Sequence, residues 1–152
     1  MKNIVLMLTS SHDRTCDYII SKYDDIEFFR FNFDKFSSYK ITVTSGGFEI
    51  KNAYRMVTSS TCKSIYFRKP VHEDLTSIFD EKYHQFAFRE AYSLIEGIAE
   101  SFTGNCLSRP SDMRKSGNKV LQAILAKRIG LNSGCNGQVG SVQNFVSGVI
   151  KT

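Results

Sequence analysis

No apolar stretch in this 152-residue chain approaches the roughly 18 to 20 residues that span a bilayer, which excludes a spanning helix of ordinary length. The opening MKNIVLMLTSS places one Lys before an apolar run, as a signal peptide would. The run is short, however, and passes into SSHDRT without a small-residue cleavage site, so it reads as a first strand. A soluble, cytoplasmic protein is the expectation. CxxC spacing is also missing. Cys16, Cys62, Cys106 and Cys135 are scattered, which argues against a zinc site or a disulfide scaffold and leaves the thiols as small core residues or bystanders. His12, His72 and His84 do not cluster, and no structural metal is expected. There is no GxGxxG, no GxxxxGK[ST] and no GxSxG, nor a Cys with an obvious His partner, so no complete catalytic set is present. Acidic residues run out towards the end. Residues 1–108 hold 13 Lys and Arg against 14 Asp and Glu, whereas the remainder holds 7 against Asp112 alone. The net charge of +5 therefore belongs to the terminal segment, and a general basic surface for nucleic acid is not supported.

What is present suits one globular domain with a real core: 41% hydrophobic and 23% charged residues. IVLMLT is a continuous apolar run, the signature of a strand buried on both faces of a parallel sheet. Ser10, Ser11 and Asp13 can each cap the helix that follows, where Cys16, Ile19, Ile20 and Tyr23 fall at helical spacing. IEFFRFNFD (26–34) fits a second strand, making a β-α-β start that favours an open α/β sheet. KITVTSGGFEIKN reads as a hairpin at about 40–51 turning at Ser45-Gly46-Gly47. KSIYFRKP (63–70) is a further parallel strand closed by Pro70. A long helix is expected over about 80–102, with Phe79, Tyr83, Phe86, Ala87, Leu94, Ile95, Ile98 and Phe102 on one stripe. LSRP could form one more short strand. NKVLQAILAKRIG closes the regular part as a helix with Leu121, Ile124, Leu125 and Ile129 on one face, and residues 132–152 form a Gly/Ser/Asn-rich tail.

Ligands in open α/β sheets bind outside the carboxyl ends of the strands. Two loops qualify. Ser11, His12, Asp13 and Arg14 open the first helix and could receive a carboxylate or phosphate; the alternative is a helix cap with solvated charges. Arg68 and Lys69, fixed by Pro70, suit an anionic group or a domain contact; the alternative is a charged strand end facing water. If the strands carrying them adjoin, both loops face one crevice. His84 is expected to be solvated, and the Phe-rich FFRFNF to be core rather than a base-stacking platform.

SSHDRTCDYII, FFRFNFD, SIYFRKP and LSRPSDMRKSGNKVLQAILAKRIG, in that order, resemble the N-terminal part of ATP-grasp peptide ligases. The resemblance is to the microviridin-type and related graspetide ligases, within the branch of ribosomal-protein glutamate ligase and glutathione synthetase. It covers roughly residues 3–131. It implies a Rossmann-like pre-ATP-grasp domain at 1–131, with the helix at 118–130 linking to an ATP-grasp core. That core would bring ATP and Mg²⁺, and the whole enzyme would modify a ribosomally made precursor peptide by ester or amide bond formation. The chain by itself would then have no catalytic residue, its 132–152 tail reading as a truncation, and a homodimer is expected. The alternative is a stand-alone, non-catalytic peptide- or anion-binding module.

Overall fold

Alternating side chains on the first strand divide the core between two faces. In β1 (Ile4–Thr9), Ile4, Leu6 and Leu8 enter one hydrophobic cluster, while Met7 enters another with Val5 packed against it. That division follows from the two-residue period of a strand. β2 (Glu27–Asn32) repeats it, Phe29 and Phe31 joining the larger cluster and Phe28 the smaller. The computed structural model that shows this describes residues 3–130. It divides into two compact units, Met1–Met113 and Arg114–Thr152.

In the first unit, β1 pairs in parallel with β2 and with β6 (Cys62–Phe67), and β6 in parallel with β7 (Asn105–Leu107), giving the order β2-β1-β6-β7. A second, antiparallel sheet runs β3-β4-β5: β3 (Lys40–Thr44), β4 (Gly47–Lys51) and β5 (Met56–Thr58). The helix α1 (Arg14–Lys22) closes the smaller cluster through Cys16, Ile19 and Ile20. The larger cluster is closed by Phe48, Ile50 and Val57 from the second sheet and by Ile95, Ile98 and Ala99 of α2 (Glu81–Ser101). The chain is thus an α/β fold with a mainly parallel sheet, a β-hairpin and flanking helices, as its residues led one to expect.

Details differ from the sequence reading. The second strand stops at Asn32, and Phe33–Ser38 winds into a 3-10 segment whose Phe33 and Phe36 rings pack edge-on, 5.7 Å apart. That clustering outweighs the alternation that suggested strand to residue 34. The expected stripe of α2 is buried only in its second half. Phe79, just before the helix, and Tyr83 and Phe86 within it are more than half exposed, whereas Ile95 and Ile98 are buried. β5 was not foreseen, because three residues are too few for a readable pattern. His84 is half-buried and bonds the Phe79 carbonyl at 2.7 Å, rather than standing free in water. Residues 110–128 form two helices, α3 (Pro110–Gly117) and α4 (Lys119–Arg128), with the Asn118 side chain capping the second through the Leu121 N–H. In the second unit α4 buries none of its residues, and Leu121, Ile124, Leu125 and Ile129 are exposed. The tail beyond Gly130, with Cys135, lies outside the described residues.

Candidate functional site

The strand order reverses between β1 and β6. From β1 the chain passes through α1 to β2 on one side, while β6 and β7 lie on the other. Such a switch point opens a crevice at the carboxyl ends of its two strands. The residues that leave β1 and β6 are the two loops singled out above.

The structure brings the loops together. Arg68 donates its backbone N–H to the Leu8 carbonyl at 2.8 Å, extending the pairing of the two strands. Its guanidinium Nε lies 3.1 Å from Asp13 Oδ2, and its Nη2 donates to Thr15 Oγ1 at 3.0 Å. Asp13 is at once the N-cap of α1, accepting from the backbone N–H of Thr15 at 2.9 Å and of Cys16 at 3.3 Å, and an acceptor for the Thr9 hydroxyl at 3.0 Å. Burial alone would raise the Asp13 carboxyl, but the Cys16 amide, the Thr9 hydroxyl and the Arg68 charge together hold it below its ordinary value. Asp34, just past the end of β2, takes both the backbone N–H of Ser11 at 2.7 Å and its hydroxyl. Burial opposes ionisation there too, and the two Ser11 bonds overcome it, so the Asp34 carboxyl is also lowered. Arg30, on the face of β2 towards α1, donates to the Ser10 carbonyl at 2.6 Å and pairs with Asp17. The β1–α1 loop is therefore tied from three sides by Asp34, Arg30 and Arg68.

This changes the roles of the predicted residues. Ser11 and Asp13 are engaged within the protein. Arg68 is engaged by Asp13 and Thr15, though a guanidinium has five N–H donors and these contacts do not use them all. His12, Arg14 and Lys69 are exposed. Lys69 also has φ 41°, a left-handed conformation that a non-glycine residue rarely adopts and that is unusual before a proline. Asp34 and Arg30 were missed by the sequence reading. The only signals available were the two charged residues, Arg30 and Asp34, among the phenylalanines of FFRFNFD.

Among the described residues no cluster of His, Cys, Asp and Glu could hold a metal ion, and no helix is long and apolar enough to cross a membrane. What the crevice offers is cationic side chains on a rigid rim, suited to positioning an anionic group.

A second concavity lies beyond the ends of β2 and β6. The 3-10 segment, residues 72–79 and α2 enclose about 550 Å³, floored by Phe33, Leu75, Phe88 and Leu94. His72 stacks against Phe33 and Phe88 there, and its burial lowers its pKa.

Solved structures share this fold. The macrocyclase MdnC of Microcystis aeruginosa, determined with its precursor peptide MdnA, superposes with a TM-score of 0.74 at 19% identity, covering 84% of this chain and 44% of MdnC. Macrocyclase MdnB of the same organism gives 0.68 at 22%, covering 86% and 45%. A RiPP-associated ATP-grasp ligase of Chryseobacterium gregarium, determined with ADP and a leader and core peptide, gives 0.71 at 21%, covering 86% and 42%. The chain thus spans less than half the length of each. No curated protein matches it. The sequence family described as the MvdD pre-ATP grasp domain matches residues 4–114, and the chain belongs to that family.

Proposed function

We propose that this chain forms the N-terminal domain of an ATP-grasp ligase that modifies ribosomally made peptides. ATP and Mg²⁺ would be held by an ATP-grasp core outside these residues. There ATP would phosphorylate a peptide carboxylate side chain with release of ADP, and a hydroxyl or amine of the same peptide would then displace phosphate from the acyl phosphate to give an ester or amide. The domain runs over 1–131, and its closing helix α4 leads to that core. Arg14, Arg68 and Lys69, with the loop of Ser11, His12 and Asp13, line the substrate side of the crevice and hold the carboxylate in position. The observation that carries this reading is the crevice between β1 and β6, with Arg68 braced by Asp13, in a member of the pre-ATP-grasp family. The stand-alone module is not favoured, since the family and the solved neighbours point to larger ligases. The apolar face of α4 supports association with that core or with a second copy, and the working form is a homodimer in the cytoplasm, with neither nucleic acid nor membrane as partner.

The test is kinetic. Lys69→Ala and Arg14→Ala in the full-length ligase are expected to lower the rate of peptide modification about tenfold, equivalent to about 1.4 kcal/mol, at unchanged ATP affinity. Unchanged rates would reduce both residues to surface charges.

A further inference from the structure

The cavity beside α2 has a composition that the crevice does not explain. Its walls are apolar: Phe33, Phe36, Leu75, Ile78, Phe88 and Leu94. Its volume, about 550 Å³, falls within the range of about 300 to 1,000 Å³ usual for ligand sites. It is not closed, since Ile78 and Phe79 on its edge are about half exposed. Tyr83 and Phe86 continue the stripe of Ala87, Glu90 and Leu94 one helical turn towards the start of α2, and both are more than half exposed. The apolar surface therefore runs out of the cavity along the helix, the form of a groove for a polypeptide rather than a pocket for one small molecule.

Charge narrows the occupant. Two carboxylates, Glu73 and Glu90, line the groove, and among the described residues no Lys or Arg does. Glu73 accepts from the backbone N–H of Ser37 at 2.8 Å and from its hydroxyl, which orients the carboxylate without neutralising it. Glu90 has no hydrogen-bond or ion-pair partner among the described residues. His72 packs against Phe33 and Phe88, and the desolvation lowers its pKa, which disfavours its charged form as a countercharge. Residues 71–90 carry five acids against two bases, in a chain whose net charge is +5.

We infer that this groove binds a polypeptide segment presenting bulky apolar side chains, with Lys or Arg beside them to meet Glu73 and Glu90. The apolar side chains fill the space over Phe33, Phe88 and Leu94, and the cations fix register along α2. This goes beyond the ligase reading of the crevice and does not depend on it.

The whole 152-residue chain can be titrated by calorimetry with a synthetic amphipathic peptide of about 15 residues, Leu and Phe at i, i+3, i+4 and i+7 and Lys on the flanks. A counterpart with Glu for every Lys is the control. The Lys peptide is expected to bind at least about tenfold more tightly than the Glu peptide, a preference that shrinks in high salt. Ile78→Asp and Glu90→Lys should each weaken it about tenfold. Ile78→Asp is checked for folding by circular dichroism; should it not fold, Glu90→Lys, at an exposed position, carries the test alone. Equal binding of both peptides, no binding of either, or an unchanged affinity in Glu90→Lys overturns the proposal. So does a dimer that Ile78→Asp converts to monomer in sedimentation, which would make the groove a contact between copies. Failure here leaves the rate test of Lys69 and Arg14 untouched, and failure of that test leaves the groove untouched.

Discussion

Asp13 carries two duties that a helix cap alone does not require: it satisfies the first N–H groups of α1 and it braces Arg68. Asp13→Ala removes both, and a cap of this kind contributes about 0.5 to 2 kcal/mol, so a loss near or above the top of that range is expected in urea unfolding. The carboxyls of Asp13 and Asp34 are both lowered in the fold. The unfolded chain therefore takes up protons more readily. Their contribution is complete above the unfolded Asp value of about 3.9 and is lost as pH falls through the lower folded values. Thermal unfolding followed from pH 6 downwards should show a steep acid limb, flattened in Asp34→Asn. Arg109 is a third such residue. Its Nη1 donates to the carbonyls of Ala99 at 2.6 Å and Glu100 at 2.8 Å, and its Nη2 to that of Phe102 at 3.0 Å, covering the open end of α2. Arg109→Ala is expected to cost at least about 1.5 to 3 kcal/mol in the same assay, with Lys restoring little because it lacks the planar fork. The caps were legible in SSHDRT. The pairing of Asp13 with Arg68, 55 residues apart, was not, since nothing local marks it.

The hairpin of β3 and β4 distinguishes two glycines that look alike in sequence. Gly47 has φ 131°, and a Cβ there would lie 2.0 Å from the Ser59 Oγ that bonds Phe48. Gly46 has nothing nearer than Thr44 Oγ1 at 3.7 Å. Gly47→Ala should cost about 1 to 3 kcal/mol and Gly46→Ala less than about 0.5, read from unfolding midpoints. The same contrast runs along α2. Ile95→Ala, at a position with no exposure, should cost about 2 to 5 kcal/mol, while Phe86→Ser, at 66% exposure, should stay within about 0.5. The helical period predicted α2 correctly and its buried stripe only in part. Periodicity records which residues share a face, but how far a neighbouring element reaches along that face decides which of them are covered.

For the chain as a whole, the ligase reading locates nucleotide chemistry elsewhere. Calorimetry with Mg²⁺-ATP is expected to show no micromolar isotherm, because binding of about −8 kcal/mol needs a formed site. Such an isotherm would move the nucleotide site into these residues. Sedimentation at several concentrations tests the homodimer; a monomer throughout would leave the apolar face of α4 to the ATP-grasp core of the ligase reading alone.

By itself the sequence determined the local content of this protein. The continuous apolar run of β1, the helical spacing after Asp13, the Gly-Gly turn and the apolar stretch of β6 each follow from short-range periodicity and turn chemistry, and together they led to a mainly parallel α/β fold. Only the tertiary structure decided what those pieces meet. The placement of β6 beside β1 joins Arg68 to Asp13. The 3-10 turn at the end of β2 brings Asp34 to Ser11, and the packing of residues 72–79 over α2 forms the acidic apolar groove. Each depends on contacts between residues far apart in the chain. Their energies are summed over a sheet and a core, and no window of neighbouring residues contains them.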